Sequence, residues 1–320
     1  MKALNLVAKR VVFGLAAVWG VLTAVFVLFR VTEDWVALRL YAEFAGFGGD
    51  PRLQQYVAEG NYEEALAAYE ADRGLDQSLH EQYVSWIGDM FTLQWGYSFD
   101  TGEPVLPLVM RATATTATYV IPAVVIAIVA GLAVGLYAAQ NPNSRLANSG
   151  RIGSYVLFGL PSFWLGGMYI GAVRAGVTSY STLLAEYIFP TLLVAMTLLG
   201  GYLSYSRAHA LEHIRSEHVM LVRAKGAGPL LTTRHVLRNA AIPFFSMLFT
   251  EVLGLLVLAI FVVEMLFGIQ GLGYVFFFAV DGRDFSVILG CTMVIVIFGT
   301  LASIVQDVSY YYLDPRIDDV

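Results

Sequence analysis

The chain is poor in charge, cysteine and lysine. Only 14% of its 320 residues are charged, against about 25% in soluble domains, and its 58% hydrophobic content exceeds the usual 45–50% or so. With a mean hydropathy of +0.66, a soluble fold is excluded and a membrane protein expected. The single cysteine, Cys291, lies in an apolar run; no intrachain disulfide can form, a Cys-based metal cluster is excluded, and nothing follows about redox compartment. No Gly-x-x-x-x-Gly-Lys-Ser/Thr phosphate loop is present, so the chain cannot itself be a P-loop ATPase. A Gly-x-Ser-x-Gly nucleophile elbow is missing too, as are internal repeats and low-complexity tracts. Arginine outnumbers lysine 16 to 3, a bias that would suit a high-salt organism.

What charge there is lies in blocks. Residues 32–110 hold 14 acids against Arg39, Arg52 and Arg73, a net of −11, so the formal net charge of −6 is the average of an acidic segment and a remainder near +5. Crossing about 30 Å of hydrocarbon takes about 20 apolar helical residues. Six runs approach that length: 11–29, 112–144, 152–173, 187–206, 239–263 (interrupted by Glu251 alone) and 285–306. Each is expected to be a helix, because backbone in lipid must satisfy its own hydrogen bonds. The first run is preceded by Lys2, Lys9 and Arg10, as in a signal peptide, but it exceeds a cleavable apolar region and no Ala-x-Ala site follows Phe29; it is expected to stay as an anchor.

Basic residues set the orientation. Lys2, Lys9, Arg10, Arg145, Arg151, Arg207, Arg215, Arg223, Lys225, Arg234, Arg238 and Arg316 flank the spans on one side and comprise 12 of the 19 basic residues. That side should be the cytoplasm, with both termini inside. The expected organisation is a cytoplasmic N-terminus and first span (1–31), an acidic extracytoplasmic helical segment (32–111), a five-helix membrane core (112–313) with a cytoplasmic loop at 207–238, and a cytoplasmic tail (314–320). Within the acidic segment, Asp50-Pro51 has the pattern of an N-cap followed by proline at the first helical position. Asn61 and Glu64 have capping-box spacing, and Gly74 is placed to stop that helix. From Leu79, the recurrence of Tyr83, Ile87 and Met90 predicts an amphipathic helix.

Several residues invite chemical readings. His209-Ala210-Leu211-Glu212-His213 is H-x-x-E-H, the inverted zinc-peptidase order, which on a helix sets two imidazoles on one face with a carboxylate as base. No third ligand is identifiable and the neighbouring Arg207, Arg215, Arg223 and Lys225 oppose a dication, so the plainer reading is an exposed polar helix at the membrane surface. Glu251 is the only acid well inside span five and should face a water-filled pathway or a partner. Asp307, near the end of span six, is expected to pair with a basic residue of a neighbouring span. Glu264 and Arg174 sit at span ends, where side chains can snorkel. Gly131 and Gly135 form a small-x-x-x-small face suited to close helix packing, and Gly166, Gly167 and Gly171 read the same way. Between Arg207 and Arg238, apolar residues at helical spacing (Ile214, Val219, Val222, then Leu230, Leu231, Val236, Leu237) are broken by Gly226 and Gly228-Pro229. Two short amphipathic helices with a tight turn suit a partner groove.

The string from Glu217 through Arg223, Ala224, Lys225 and Gly226, followed by Arg234, His235, Arg238 and Pro243, resembles the cytoplasmic coupling segment of dipeptide/oligopeptide/nickel-type ABC importer permeases. Gly74-Leu75-Asp76, Gln82-Tyr83, Gly96-Tyr97-Ser98, Pro161-Ser162-Phe163-Trp164, Glu264-x-x-Phe267 with Gly271-Leu272-Gly273, Arg283-Asp284-Phe285 and Asp314-Pro315-Arg316-Ile317 match in order along nearly the whole chain. It departs from the pattern at Met220-Leu221-Val222, where the family has Glu-Ala-Ala, and at Gln270, where proline usually precedes Gly-Leu-Gly. The resemblance implies an all-α polytopic protein with six transmembrane helices, the type I ABC importer permease fold, and a small helical extracytoplasmic cap. It also implies a transport subunit and not an enzyme, with Gly271, Leu272, Gly273, Arg283 and Asp284 forming an extracytoplasmic loop motif. The implied partners are a second homologous permease, two cytoplasmic ABC ATPases, an extracytoplasmic solute-binding protein and the bilayer, with no nucleic acid. No cofactor is expected on this chain, since ATP and magnesium would sit on the ATPases.

Overall fold

The structure, a computed structural model, describes residues 2–31, 35–46, 53–57, 61–72, 74–214, 216–226, 228, 231–232 and 260–313. Among these the chain is all-helical; the only β pairing is an isolated bridge between Tyr97 and Pro104. The helices are α1 (Lys2–Val31), α2 (Trp35–Phe44), α3 (Gln54–Val57), α4 (Tyr62–Asp72), α5 (Leu79–Phe91), α6 (Val105–Gln140), α7 (Arg145–Gly159), α8 (Ser162–Arg174), α9 (Phe189–Ile214), α10 (Glu217–Ala224), α11 (Ile260–Phe267), α12 (Leu272–Asp281) and α13 (Phe285–Leu313).

Among the described residues, four helical stretches are long and apolar enough to cross a membrane: Ala8–Val31, Val105–Gln140, Leu183–Glu212 and Phe285–Val308. A fifth arises if α11 and α12, bent by 82°, count as one broken span. The six expected spans are compatible with this set, and two runs account for the difference. Run 152–173 is divided between α7 and α8 at Leu160 and Pro161. Proline lacks an amide proton and disfavours helical geometry in the residue before it, and Leu160 is accordingly extended (φ −90°, ψ 114°). Most of run 239–263, with Glu251, lies outside the described residues.

The chain divides into two compact units. One contains residues 12–109 and 278–297. Its small core is built by Leu40, Leu53, Tyr56, Ala65 and Tyr69 of α2 to α4, against which Phe44, Phe99 and Phe285 pack. Here the sequence signals for helix ends hold. The Glu64 amide donates to Asn61 Oδ1 at 3.0 Å, and Gly74, at φ +61°, follows α4 with its N–H donating to the Ala71 carbonyl at 3.1 Å. Ser78 and Glu81 form a reciprocal capping box at the start of α5. The Ser78 hydroxyl, followed by its amide, holds the Glu81 carboxyl below its ordinary value. The amphipathic face of α5 meets α1, where Tyr83 shares a hydrogen bond with Thr23 and stacks edge-on against Phe26. The Asp50-Pro51 cap falls outside the described residues.

The other unit comprises residues 1–11, 110–277 and 298–320. Its core runs along α6 and α9: Tyr119, Ala123 and Ala127 against Leu193, Val194, Leu198 and Tyr202, joined by Val263, Phe267 and Ile269. At Gly131 and Gly135 the two helices approach closely. A Cβ at Gly131 would fall 2.6 Å from Tyr202 Cβ, and one at Gly135 would collide with the Ser206 hydroxyl. That hydroxyl donates to the Gly131 carbonyl at 2.8 Å, so small residues supply both room and a polar tie. Gly166 serves in the same way against Leu266 and Phe267, whereas a Cβ at Gly167 or Gly171 would meet nothing within 4 Å among the described residues. The expected partner of Asp307 is Arg10, at 3.1 Å.

Candidate functional site

Three groups of sequence-predicted residues can be placed. The first is the segment after α9. The amide of Met220 bonds the Ser216 carbonyl, and that of Lys225 bonds Leu221, giving α10 two turns with Glu217 in its first, where a negative charge complements the helix dipole. Val219 is fully buried among Leu136 and Ala139 of α6 and Ala210 of α9, with Leu211 and Ile214 beside them. Met220 and Leu221 instead stand 54% and 61% exposed. The short helix is thus anchored by one valine and offers two large apolar side chains outward. Ala224 closes it, and Gly226, at φ +87°, takes a turn conformation that disfavours residues with a Cβ. A further turn follows, in which Thr232 bonds the Gly228 carbonyl through both its amide and its hydroxyl. Arg223 takes its position on α10, while Arg234, His235, Arg238, Pro243 and Glu251 lie outside the described residues.

The H-x-x-E-H string lies at the end of α9. His209 Nδ1 is 3.7 Å from Glu212 Oε2, and the imidazole stacks on Tyr205 at 4.6 Å. Glu212 is 75% exposed. No group of three His, Cys, Asp or Glu side chains suited to a metal occurs among the described residues. Nothing in this arrangement supports a zinc peptidase.

The second group is the α11–α12 elbow, where Glu264 does something other than snorkel. It is fully buried. Its Oε1 accepts hydrogen bonds from the hydroxyls of Thr116 (2.5 Å) and Tyr119 (2.7 Å) of α6, and its Oε2 accepts the Tyr274 amide at 2.9 Å. Thr116 Oγ1 in turn accepts the Leu272 amide at 2.8 Å. The first-turn amides of α12, which no helix can satisfy internally, are therefore capped by side chains from α11 and α6. Gly271 and Gly273 are required by this proximity: a Cβ on Gly271 would overlap the Glu264 carboxylate, and one on Gly273 would lie 3.0 Å from the Phe261 backbone. Thr116 and Tyr119 were not legible as site residues. The only signal in sequence is the cluster of hydroxyls Thr113, Thr115, Thr116, Thr118 and Tyr119 at the start of an otherwise apolar run.

The third group centres on Asp284. Arg283 adopts φ +54° as α12 ends. The buried Asp284 accepts the Ser98 hydroxyl at 2.6 Å and the Asp100 amide at 3.0 Å through Oδ2, while Oδ1 caps α13 at the Val287 amide, 3.3 Å away. The Gly96-Tyr97-Ser98 and Arg283-Asp284 motifs, 186 residues apart at the Ser98–Asp284 bond, thus meet in one hydrogen-bonded knot.

Several apolar helices of spanning length, a short helix anchored at one valine and an elbow locked by a buried carboxylate define an all-helical, multi-pass membrane protein. Residues 131–319 match the family described as binding-protein-dependent transport system inner membrane component, and the chain belongs to that family. It is 28% identical, over 96% of its own length and 97% of the relative's, to a Brucella suis biovar 1 protein that bears the name of a peptide permease protein. It is 25% identical to the oligopeptide transport system permease protein AppB of Bacillus subtilis (84% and 90% covered) and 27% identical to the metal-staphylopine import system permease protein CntB of Staphylococcus aureus (79% and 83% covered). The protein is thus a transport subunit of the ABC permease kind.

Proposed function

We propose that this chain is the permease subunit of an ATP-driven importer for peptides or related solutes, and that α10 with its following turn is where ATPase movement enters the membrane helices. The observation that carries this reading is the two-sided construction of α10: Val219 is sunk between α6 and α9, while Met220 and Leu221 are exposed. Pulling or pushing such a helix moves the two long helices it is rooted in. Apolar side chains on a short helix suit a groove in a partner. Glu217, Arg223, Ala224, Lys225, Gly226, Arg234, His235, Arg238 and Pro243 make up the coupling segment, with its cations available to acids on the ATPase. Both termini are cytoplasmic, and the acidic residues 32–111 face outward as a landing surface for a solute-binding protein. Gly271, Leu272, Gly273, Arg283 and Asp284 lie on that outer side, and Glu251 lines the pathway. A second permease of the same family completes the channel. The relatives' names favour peptides, with the metal-staphylopine permease marking how far the cargo can diverge within the family.

Co-expression with the ATPases and second permease tests the reading. The wild-type chain should hold ATPase in stoichiometric amount, and the double substitution Met220→Glu, Leu221→Glu should reduce the bound ATPase at least about tenfold without lowering the yield of the permease pair. A purified, peptide-transporting chain with neither ATPase nor second permease would sink the proposal.

A further inference from the structure

We propose that Glu264 is a positioning residue for transport: it bolts the α11–α12 elbow to α6, so that displacement of α10 reaches the elbow through the α6–α9 pair. The inference rests on the importer reading above, because it presumes that α10 is driven.

The link can be followed residue by residue. At one end, Val219 packs on Leu136 and Ala139 of α6 and on Ala210 of α9. At the other, Thr116 and Tyr119 of α6 donate to Glu264, and Thr116 also accepts from the first amide of α12. The 18 residues from Tyr119 to Leu136 lie in one unbroken helix, about 26 Å from first to last at 1.5 Å per step. Pro122 lies within this stretch and removes one backbone hydrogen bond, a place where a lone helix would bend. Here α6 is not alone. α9 runs beside it through Tyr119, Ala123 and Ala127, and the pair is tied by Ser206 to the Gly131 carbonyl. The pair therefore behaves as a two-helix strut.

At the elbow, one carboxylate holds two elements at once. Oε1 is held by α6 and Oε2 by the Tyr274 amide of α12. Glu264 itself belongs to α11, so three helices meet at a single group. Apolar contacts of Val263, Phe267 and Ile269 also seat α11 on the core, so removing the polar bolt should leave the elbow in place while loosening its link to α6. A glutamine cannot replace the carboxylate. Its amide accepts on one side only, so its NH₂ must face either the two hydroxyls or the Tyr274 amide. Thr116→Val likewise loses a donor and an acceptor together at nearly constant shape, whereas Thr116→Ser keeps both.

The test uses the whole complex with its ATPases, second permease and binding protein in vesicles. ATP hydrolysis and uptake are measured with and without binding protein loaded from a random tripeptide mixture. Glu264→Gln and Thr116→Val should assemble, retain basal hydrolysis within about twofold, and keep the half-saturating concentration of binding protein. Their maximal stimulation and uptake should fall at least about fivefold, and Thr116→Ser should restore both to within about twofold. The inference is overturned if the two variants are stimulated as wild type, or if their activity falls only in proportion to the complex assembled. A wild-type complex that takes up no peptide overturns the importer reading and this inference with it; wild-type uptake matched by equal uptake in the variants overturns the inference alone.

Discussion

Replacing Asp284 by alanine should open a defined part of the molecule. The carboxylate accepts one hydroxyl and two amides, and it is buried. Hydrogen bonds to a charged acceptor contribute about 1.5–3 kcal/mol each, and loss of an N-cap costs about 1 kcal/mol. The three are not additive, since Ser98 also accepts the Thr101 amide at 3.0 Å and can turn its hydroxyl elsewhere. A loss of about 3–4 kcal/mol is the reasonable sum. At 1.4 kcal/mol per factor of ten, that raises the local opening equilibrium at least about 100-fold. Amide hydrogen exchange of the detergent-solubilised protein, resolved on peptides covering residues 96–104 and 284–290, reads it directly. Exchange of the Asp100 and Val287 amides should accelerate by about that factor, while α4 should lose less protection, because its core of Leu40, Leu53 and Tyr69 gives up only the flanking Phe99 and Phe285. Asp284→Asn, retaining one acceptor oxygen, should fall between. Exchange unchanged within about threefold in both segments of Asp284→Ala would refute the claim that this carboxylate holds the two motifs together.

Gly135→Ala should lower the thermal stability of the solubilised protein by about 1–3 kcal/mol, because the new methyl overlaps the Ser206 hydroxyl and also comes within 2.9 Å of the Leu203 carbonyl; adding Ser206→Gly should recover only part of the loss, and simple additivity in the double-mutant cycle would count against direct contact. The capping box at α5 should be acid-sensitive. The folded-state value of Glu81 lies below its ordinary 4.5, so its contribution is fully present above that value and is lost as pH falls through the lower one. Exchange protection of the first turn of α5 should therefore be retained at pH 4.5, drop only as pH falls further in the wild type, and show no such step in Glu81→Gln.

The amino-acid sequence by itself determined the class, the family and most local punctuation. Spans are legible because lipid imposes one requirement, uncharged length, and runs 11–29, 112–144, 187–206 and 285–306 each became a spanning helix. Caps are legible because an N-cap and its amide lie three residues apart, as at Asn61 and Glu64. The Gly131 and Gly135 face announced itself through small side chains that only close packing explains. Run 152–173 reads as one helix because it carries no charge, whereas the missing amide proton of Pro161 divides it into two. What tertiary structure alone decided were the meetings of distant residues. Glu264 and Thr116 are 148 positions apart and Asp284 and Ser98 186, and no periodicity encodes such a pairing. Glu264 looked like an acid at a span end free to reach water. It is instead buried because two hydroxyls of α6 and the unsatisfied amides of α12 converge on it, and a carboxylate's acceptor capacity is filled only when the fold brings those donors within 3 Å.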